Sequence, residues 1–158
     1  MKQFISYFSV AIFSIFIGSQ ITEGALLVPY WKSLSSSDFY EYYYQFGPSI
    51  GQFYTVLTIV AALIPFSFSI YSKRIDPSAF KLALASSFFA VLFIDCFYAY
   101  FKHTNELFYE GALSASDLKK ELVVWGYWHW GRIVLECISL VLFILALIKI
   151  SSKGIIRN

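Results

Sequence analysis

Four stretches of this chain stay apolar for about 20 residues or more, the length a helix needs to cross the hydrocarbon of a bilayer. They run roughly from Phe4 to Leu27, Ser49 to Tyr71, Phe80 to Phe101 and Gly126 to Ile150. With 58% hydrophobic and only 14% charged residues among 158, the chain has too little polar surface to cover four such helices in water. Lipid must cover them instead. The expected architecture is all-α: a four-helix transmembrane antiparallel bundle forming a single integral membrane domain over residues 1–158. There is no internal repeat or low-complexity tract.

Charge asymmetry sets the expected orientation. Lys2, the Lys73, Arg74 and Lys81 group, and the Lys149, Lys153 and Arg157 tail fall on one side. The other side mixes Lys32, Lys102, Lys119 and Lys120 with carboxylates. The positive-inside rule then makes both termini cytoplasmic, and the absence of a eukaryotic targeting signal leans towards a bacterial inner membrane. A net charge of +2 gives no reason to expect nucleic acid as a partner, and no basic cluster is dense enough to read anionic lipid.

Met1, Lys2 and the apolar run from Phe4 to Ile17 also resemble the start of a signal peptide. No clear small-x-small cleavage site follows and apolar character resumes at Ala25, so the helix is expected to be retained. Cys96 and Cys137 both lie inside expected helices and read as small packing residues rather than a disulfide framework. The two external connections are expected to be the longer ones. In the first, Ser35 to Asp38 would cap a short tyrosine-rich interfacial helix from Phe39 to Phe46, ended by Gly47 and Pro48. The second would start at Asn105, contain Gly111 and restart at Ser114 or Ser116 with Asp117 in the first turn, so that helix four projects above the membrane. The Lys73 to Ser78 turn is tight, making helices two and three neighbours.

Within this apolar frame the last helix carries a polar ladder. Trp125, His129, Arg132 and Glu136 stand at offsets of four, seven and eleven, on one helical face. Ionisable groups in hydrocarbon cost at least a few kcal/mol unless paired, which marks this stripe as the place to look for function. At about 1.5 Å per residue, Arg132 lies roughly 9 Å and Glu136 roughly 15 Å below the external end of the fourth span. Asp95 lies about 9 Å below the external end of the third and is level with Arg132. Gln20 with Glu23 on helix one, and Gln52 with Thr55 on helix two, add polar groups near the same boundary. An outward-opening polar pocket is the simplest expectation.

Structural alternatives stand beside the functional ones. Arg132 and Glu136 can be a plain i,i+4 ion pair, and Asp95 with Arg132 an interhelical lock. Trp125, Tyr127, Trp128 and Trp130 fit an interfacial aromatic belt, Gly126 and Gly131 close helix approach, and Pro65 a kink.

The run Gly24, Pro29, Trp31, Phe39, Phe46 and Pro48, followed by Asn105, Trp125, His129 and Arg132, resembles the anthrone-oxygenase-like family of small four-helix membrane proteins, long catalogued as a domain of unknown function. The resemblance implies oxidoreductase chemistry on a hydrophobic, aromatic small molecule, without a metal. His129 would be the general base and Arg132 the oxyanion stabiliser, with Asp95 or Glu136 orienting them. Trp125, Asn105, Glu23 and Gln52 would complete the substrate pocket.

Other cofactor readings remain open. Glu23, Asp95, His129 and Glu136 are ligand types for iron or manganese, although the paired Glu-x-x-His motifs of di-iron bundles are missing. His103 and His129 could hold a haem between helices three and four. A non-enzymatic accessory or lipid-binding protein, its polar cluster a structural lock, is the alternative class.

Overall fold

The computed structural model describes residues 2–156, with side chains for residues 4–152. Lys2, Lys153 and Arg157, used above for orientation, have side chains outside the described residues. Four long helices follow one another. Helix α1 runs over Lys2–Thr22, widens into a π turn at Glu23–Leu27 and continues over Val28–Ser33. Helix α2 is Ser36–Ser72. Helix α3 runs over Pro77–Cys96, a second π turn at Phe97–Phe101 and Lys102–Glu110, and α4 is Ala115–Ile156. All four are long and apolar enough to cross a membrane, and no strand occurs among the described residues. The all-α four-helix bundle of membrane-spanning type expected from the sequence is the observed architecture. Below, the head is the end where α1 meets α2 and α3 meets α4; the terminal end holds both termini and the α2–α3 turn.

The connections differ from expectation. Instead of a separate interfacial helix, residues 36–46 are the first turns of a 37-residue α2 that passes straight through Gly47, Pro48 and Pro65. A proline inside a helix costs about 3 kcal/mol. Here the same face stays buried on both sides of Pro48, from Phe39 and Tyr43 to Ala61 and Ala62, and that burial outweighs the lost hydrogen bond. Gly47 lets the helix hold Tyr43 against itself, since a Cβ there would stand 3.0 Å from the Tyr43 ring. Asn105 likewise belongs to α3, not to a loop. The head connections are therefore the two residues 34–35 and the four residues 111–114, no longer than the turn at 73–76.

Helix ends follow local chemistry. The Ser35 hydroxyl accepts from the Asp38 amide to cap α2, Asp76 accepts from the Ser78 and Ala79 amides to cap α3, and Ser114 accepts from the Asp117 amide to cap α4. Gly111 ends α3 in the left-handed conformation that only glycine enters without strain (φ 63°). Pro29 has no N–H to give the preceding turn of α1, which is where the helix widens into its first π turn.

Two apolar cores lie end to end. In the half towards the termini, Phe13, Phe16 and Ile17 of α1 pack with Ala61 and Ala62 of α2 and Ala90 and Phe93 of α3. Small residues let α3 and α4 approach there: Ser86 donates to the Ser139 carbonyl at 2.7 Å and Ser139 returns the bond to the Ser86 carbonyl at 2.9 Å. Ser69 and Ser87 join α2 to α3 at 3.2 Å. This half therefore holds buried hydroxyls. The head core is aromatic, with Trp31, Phe39, Tyr43, Phe101, Phe108 and Trp125 meeting mostly edge to face.

Candidate functional site

Between the two cores lies the polar cluster. Trp125, His129 and Glu136 are buried on the inner face of α4, and Arg132 is nearly so. The expected ladder thus exists, on the expected face. Helix α1 supplies the other wall. The His129 Nε2 is 2.8 Å from the Gln20 carbonyl, and Arg132 Nη2 donates to the Gln20 side-chain oxygen at 2.6 Å and to His129 Nδ1 at 3.1 Å. A carbonyl only accepts and a guanidinium only donates, so the ring carries its proton on Nε2 and presents its Nδ1 lone pair to Arg132. Both ring nitrogens are engaged.

The carboxylates are held less completely. Glu23 Oε2 is 3.8 Å from His129 Nδ1 and 4.0 Å from Arg132 Nη2, and Glu136 Oε1 is 3.6 Å from Arg132 Nε. These distances give Coulomb attraction but exceed hydrogen-bond length. One guanidinium serves two carboxylates. Gln20 Nε2, Glu23 Oε2, Arg132 Nε and both oxygens of Glu136 are buried without a hydrogen-bond partner. On the α2 side, the Tyr54 hydroxyl donates to the Ser19 carbonyl at 3.1 Å and lies within reach of Glu23.

Aromatic residues fix these groups in place. The Trp125 ring stacks on His129 with centroids 5.0 Å apart and planes 14° apart, and its indole N–H donates to Asn105 at 3.0 Å. Phe101, in the second π turn, lies under the Arg132 guanidinium at 4.6 Å. Gly24, in the first π turn, is in contact with His129; a Cβ there would come within 2.9 Å of the imidazole. Both π turns therefore flank the cluster and bring backbone or ring surface against it.

Access is narrow. His129 and Glu136 are 0% exposed, so no water-sized space adjoins either side chain. The edge that remains open belongs to Arg132, 12% exposed, with Glu23 at 4% beside it.

Of the residues expected to form the site, His129, Arg132, Glu136, Glu23 and Trp125 come together, and Asn105 joins through Trp125. Asp95 does not. It is level with Arg132 but exposed on the outer face of α3, two residues past buried Phe93, which turns it about 200° away. The interhelical lock between Asp95 and Arg132, and any orienting role for Asp95, fall with that placement. Gln52 also faces outward, in a shallow groove on α2 with Ser49, Phe53, Val56 and Leu57, and Thr55 donates to its own helix at the Gly51 carbonyl. The four expected metal ligands therefore do not converge, and no group of three suitable side chains stands at ligand distance among the described residues. His103 is exposed while His129 is sealed, so the two do not face a common haem site. Trp128, Trp130 and Tyr127 are exposed as a belt would be, whereas Trp125 is part of the core. Gly126 packs beside Lys32, but Gly131 faces open space and makes no close approach.

Sequence reasoning noted Gln20 without seeing that its main-chain carbonyl would hold His129. It missed Tyr54 and Phe101 altogether. Tyr54 had one available signal: it stands seven residues before Ala61, on the buried face of α2. No family model, curated protein or solved structure matches the chain.

Proposed function

We propose that the chain is an integral membrane protein, both termini cytoplasmic and in a bacterial inner membrane, whose buried cluster performs oxidoreductase-like chemistry on a hydrophobic, anthrone-like small molecule. The observation that carries this reading is the gathering of three buried carboxylate oxygens without a hydrogen bond, from Glu23 and Glu136, around one guanidinium. A cluster built only to join helices would give each buried carboxylate oxygen a hydrogen bond, since a buried polar group without one is costly in hydrocarbon. Unpaired acceptors beside a cation are what a proton-transfer site keeps in reserve.

The geometry favours a division of roles different from the one the resemblance implies. The His129 lone pair is already occupied by Arg132, so His129 positions the guanidinium. Glu23, with a buried oxygen that makes no hydrogen bond and lies beside the open edge of Arg132, is the better base for an acidic C–H flanked by aromatic rings. Arg132 stabilises the oxyanion that develops on the ring carbonyl. The resulting carbanion reacts with dioxygen: one oxygen atom stays on the carbon as a new carbonyl and the other leaves as water with the two hydrogens lost from that carbon. The substrate approaches from the bilayer at the edge of Arg132 that stays open. Basic residues Lys73, Arg74, Lys81 and Lys149 at the terminal end support the orientation.

A second reading, the structural lock, is favoured by the sealing of His129 and Glu136. Oxygen uptake and quinone absorbance, followed with an anthrone in nanodiscs containing the protein, separate the two. Acceleration that Glu23→Gln removes at unchanged thermal midpoint supports the enzyme. No acceleration, with Glu23→Gln changing only stability, leaves the lock.

A further inference from the structure

The outer face of α3 carries a carboxylate where lipid should be. The stacked pair Tyr100 and Trp128, 5.0 Å apart with planes at 6°, marks the level of the head-side membrane boundary, about 20 residues along each span from the terminal end. Asp95 stands five residues below Tyr100, about 7 Å inside the hydrocarbon by helical rise. It is exposed, and neither a hydrogen bond nor an ion pair reaches it among the described residues. Its side chain is too short to reach the interface as a lysine would. An ionisable group at this depth ordinarily pairs with protein.

The surface around it has the shape of a helix seat. Leu84, Phe88, Val91, Asp95 and Tyr98 are all exposed, and their spacing of four, three, four and three is the 3.5-residue repeat of a helix seam. Directly below Asp95 a groove of about 560 Å³ opens between α3 and α2, lined by Phe66, Leu84, Ala85, Phe88 and Val91 with Lys81 at its terminal-end mouth.

We infer that this face of α3 seats a single membrane helix of a partner protein that presents one lysine or arginine to Asp95 and apolar side chains to the groove. Charge complementarity selects that occupant over a second copy. Among the described side chains, the basic ones lie above Asp95, at Lys32, Lys102, His103, Lys119 and Lys120, or at the terminal end, at Lys73, Arg74, Lys81 and Lys149. Arg132, the one at the right depth, is held inside the cluster, as is His129 above it. A copy lying alongside can offer Asp95 no cation.

The test uses the labelled full-length chain in phosphatidylcholine vesicles and three synthetic polyleucine helices: all leucine, one lysine at the depth of Asp95, and one lysine seven residues deeper. Energy transfer should show the matched-lysine helix binding about tenfold tighter than the other two. Asp95→Asn should erase that preference at unchanged thermal midpoint, and Val91→Trp, which fills the groove, should weaken all three helices. Equal binding of the three helices would overturn the inference, as would a preference that survives Asp95→Asn. Energy transfer between copies of the chain that Asp95→Asn abolishes would assign the face to self-association instead.

Discussion

The two halves of the bundle solve the same problem in opposite ways. Towards the termini, α3 and α4 meet through alanines and serines, and each buried hydroxyl finds a carbonyl: Ser86 and Ser139 exchange bonds, and Ser87 returns its proton to the Ala83 carbonyl. Among the described residues, no charged side chain joins that α3–α4 contact and each of these serines is hydrogen-bonded. At the junction with the head, helix α1 meets α4 through Gln20, Glu23, His129, Arg132 and Glu136, and five polar atoms remain unpaired. Small neutral groups close a membrane interface completely because each has one donor and nearby acceptors. Two carboxylates around one guanidinium cannot, and that surplus separates a place of chemistry from a place of packing.

Removing the guanidinium should break the comparison most severely. Arg132→Met leaves Glu23 and Glu136 buried without a cation, and uncompensated buried charge costs about 3–5 kcal/mol. A large fall in the thermal midpoint in detergent is expected, and adding Glu136→Gln to Arg132→Met should recover most of it. If the double variant is no more stable than the single one, the arginine contributes through packing on Phe101 rather than through charge.

Two glycines of α1 sharpen the contrast at the next level. Gly24 touches His129, so Gly24→Ala must push the imidazole off Trp125 and the Gln20 carbonyl at a cost of about 1–3 kcal/mol. Its φ is not in the left-handed region, which makes the penalty purely steric. Gly18, on the same helix, has nothing within 4 Å of a built Cβ, and Gly18→Ala should gain about 0.5–1 kcal/mol from helix propensity. Equal midpoints for the two variants would mean that the α1–α4 contact yields easily, and the site would lose its claim to rigidity.

How far these features could be read beforehand depends on which dimension of a helix they occupy. The spans, the Ser35 and Ser114 caps and the ladder on α4 follow from hydropathy, capping chemistry and the helical period, all written in local sequence. Depth along a helix was also legible, and Asp95 does lie level with Arg132. Its face depends on rotation as well as rise, and the stripe Ala79, Ala83, Ser86 and Ala90 marks the buried side of α3, away from Asp95. The outward turn of Gln52 has the same origin. The local rule for Pro48 predicts a stop, and only the buried faces on either side of it, a tertiary matter, carry α2 through. The π turns are shifts of hydrogen bonding with no residue code of their own apart from Pro29. The Gln20 carbonyl that holds His129 is backbone, which every residue has and no sequence singles out.

The smallest expected effect lies in the closed half. Ser139 both donates to and accepts from Ser86 across the α3–α4 interface. Ser139→Ala removes one of the two exchanged bonds but keeps the main-chain carbonyl that Ser86 uses, so the loss should be about 1 kcal/mol or less. A double-mutant cycle with Ser86→Ala should give a coupling of about 0.6 kcal/mol, the ordinary worth of a hydrogen bond between membrane helices. The freed carbonyls return to their own helices, where hydrogen bonding is already satisfied. A coupling several times larger would show that the serine seam, and not the charged cluster, sets the register of α3 on α4. In that case the unpaired atoms around Arg132 would owe their placement to the seam, and the two halves would be one mechanical unit.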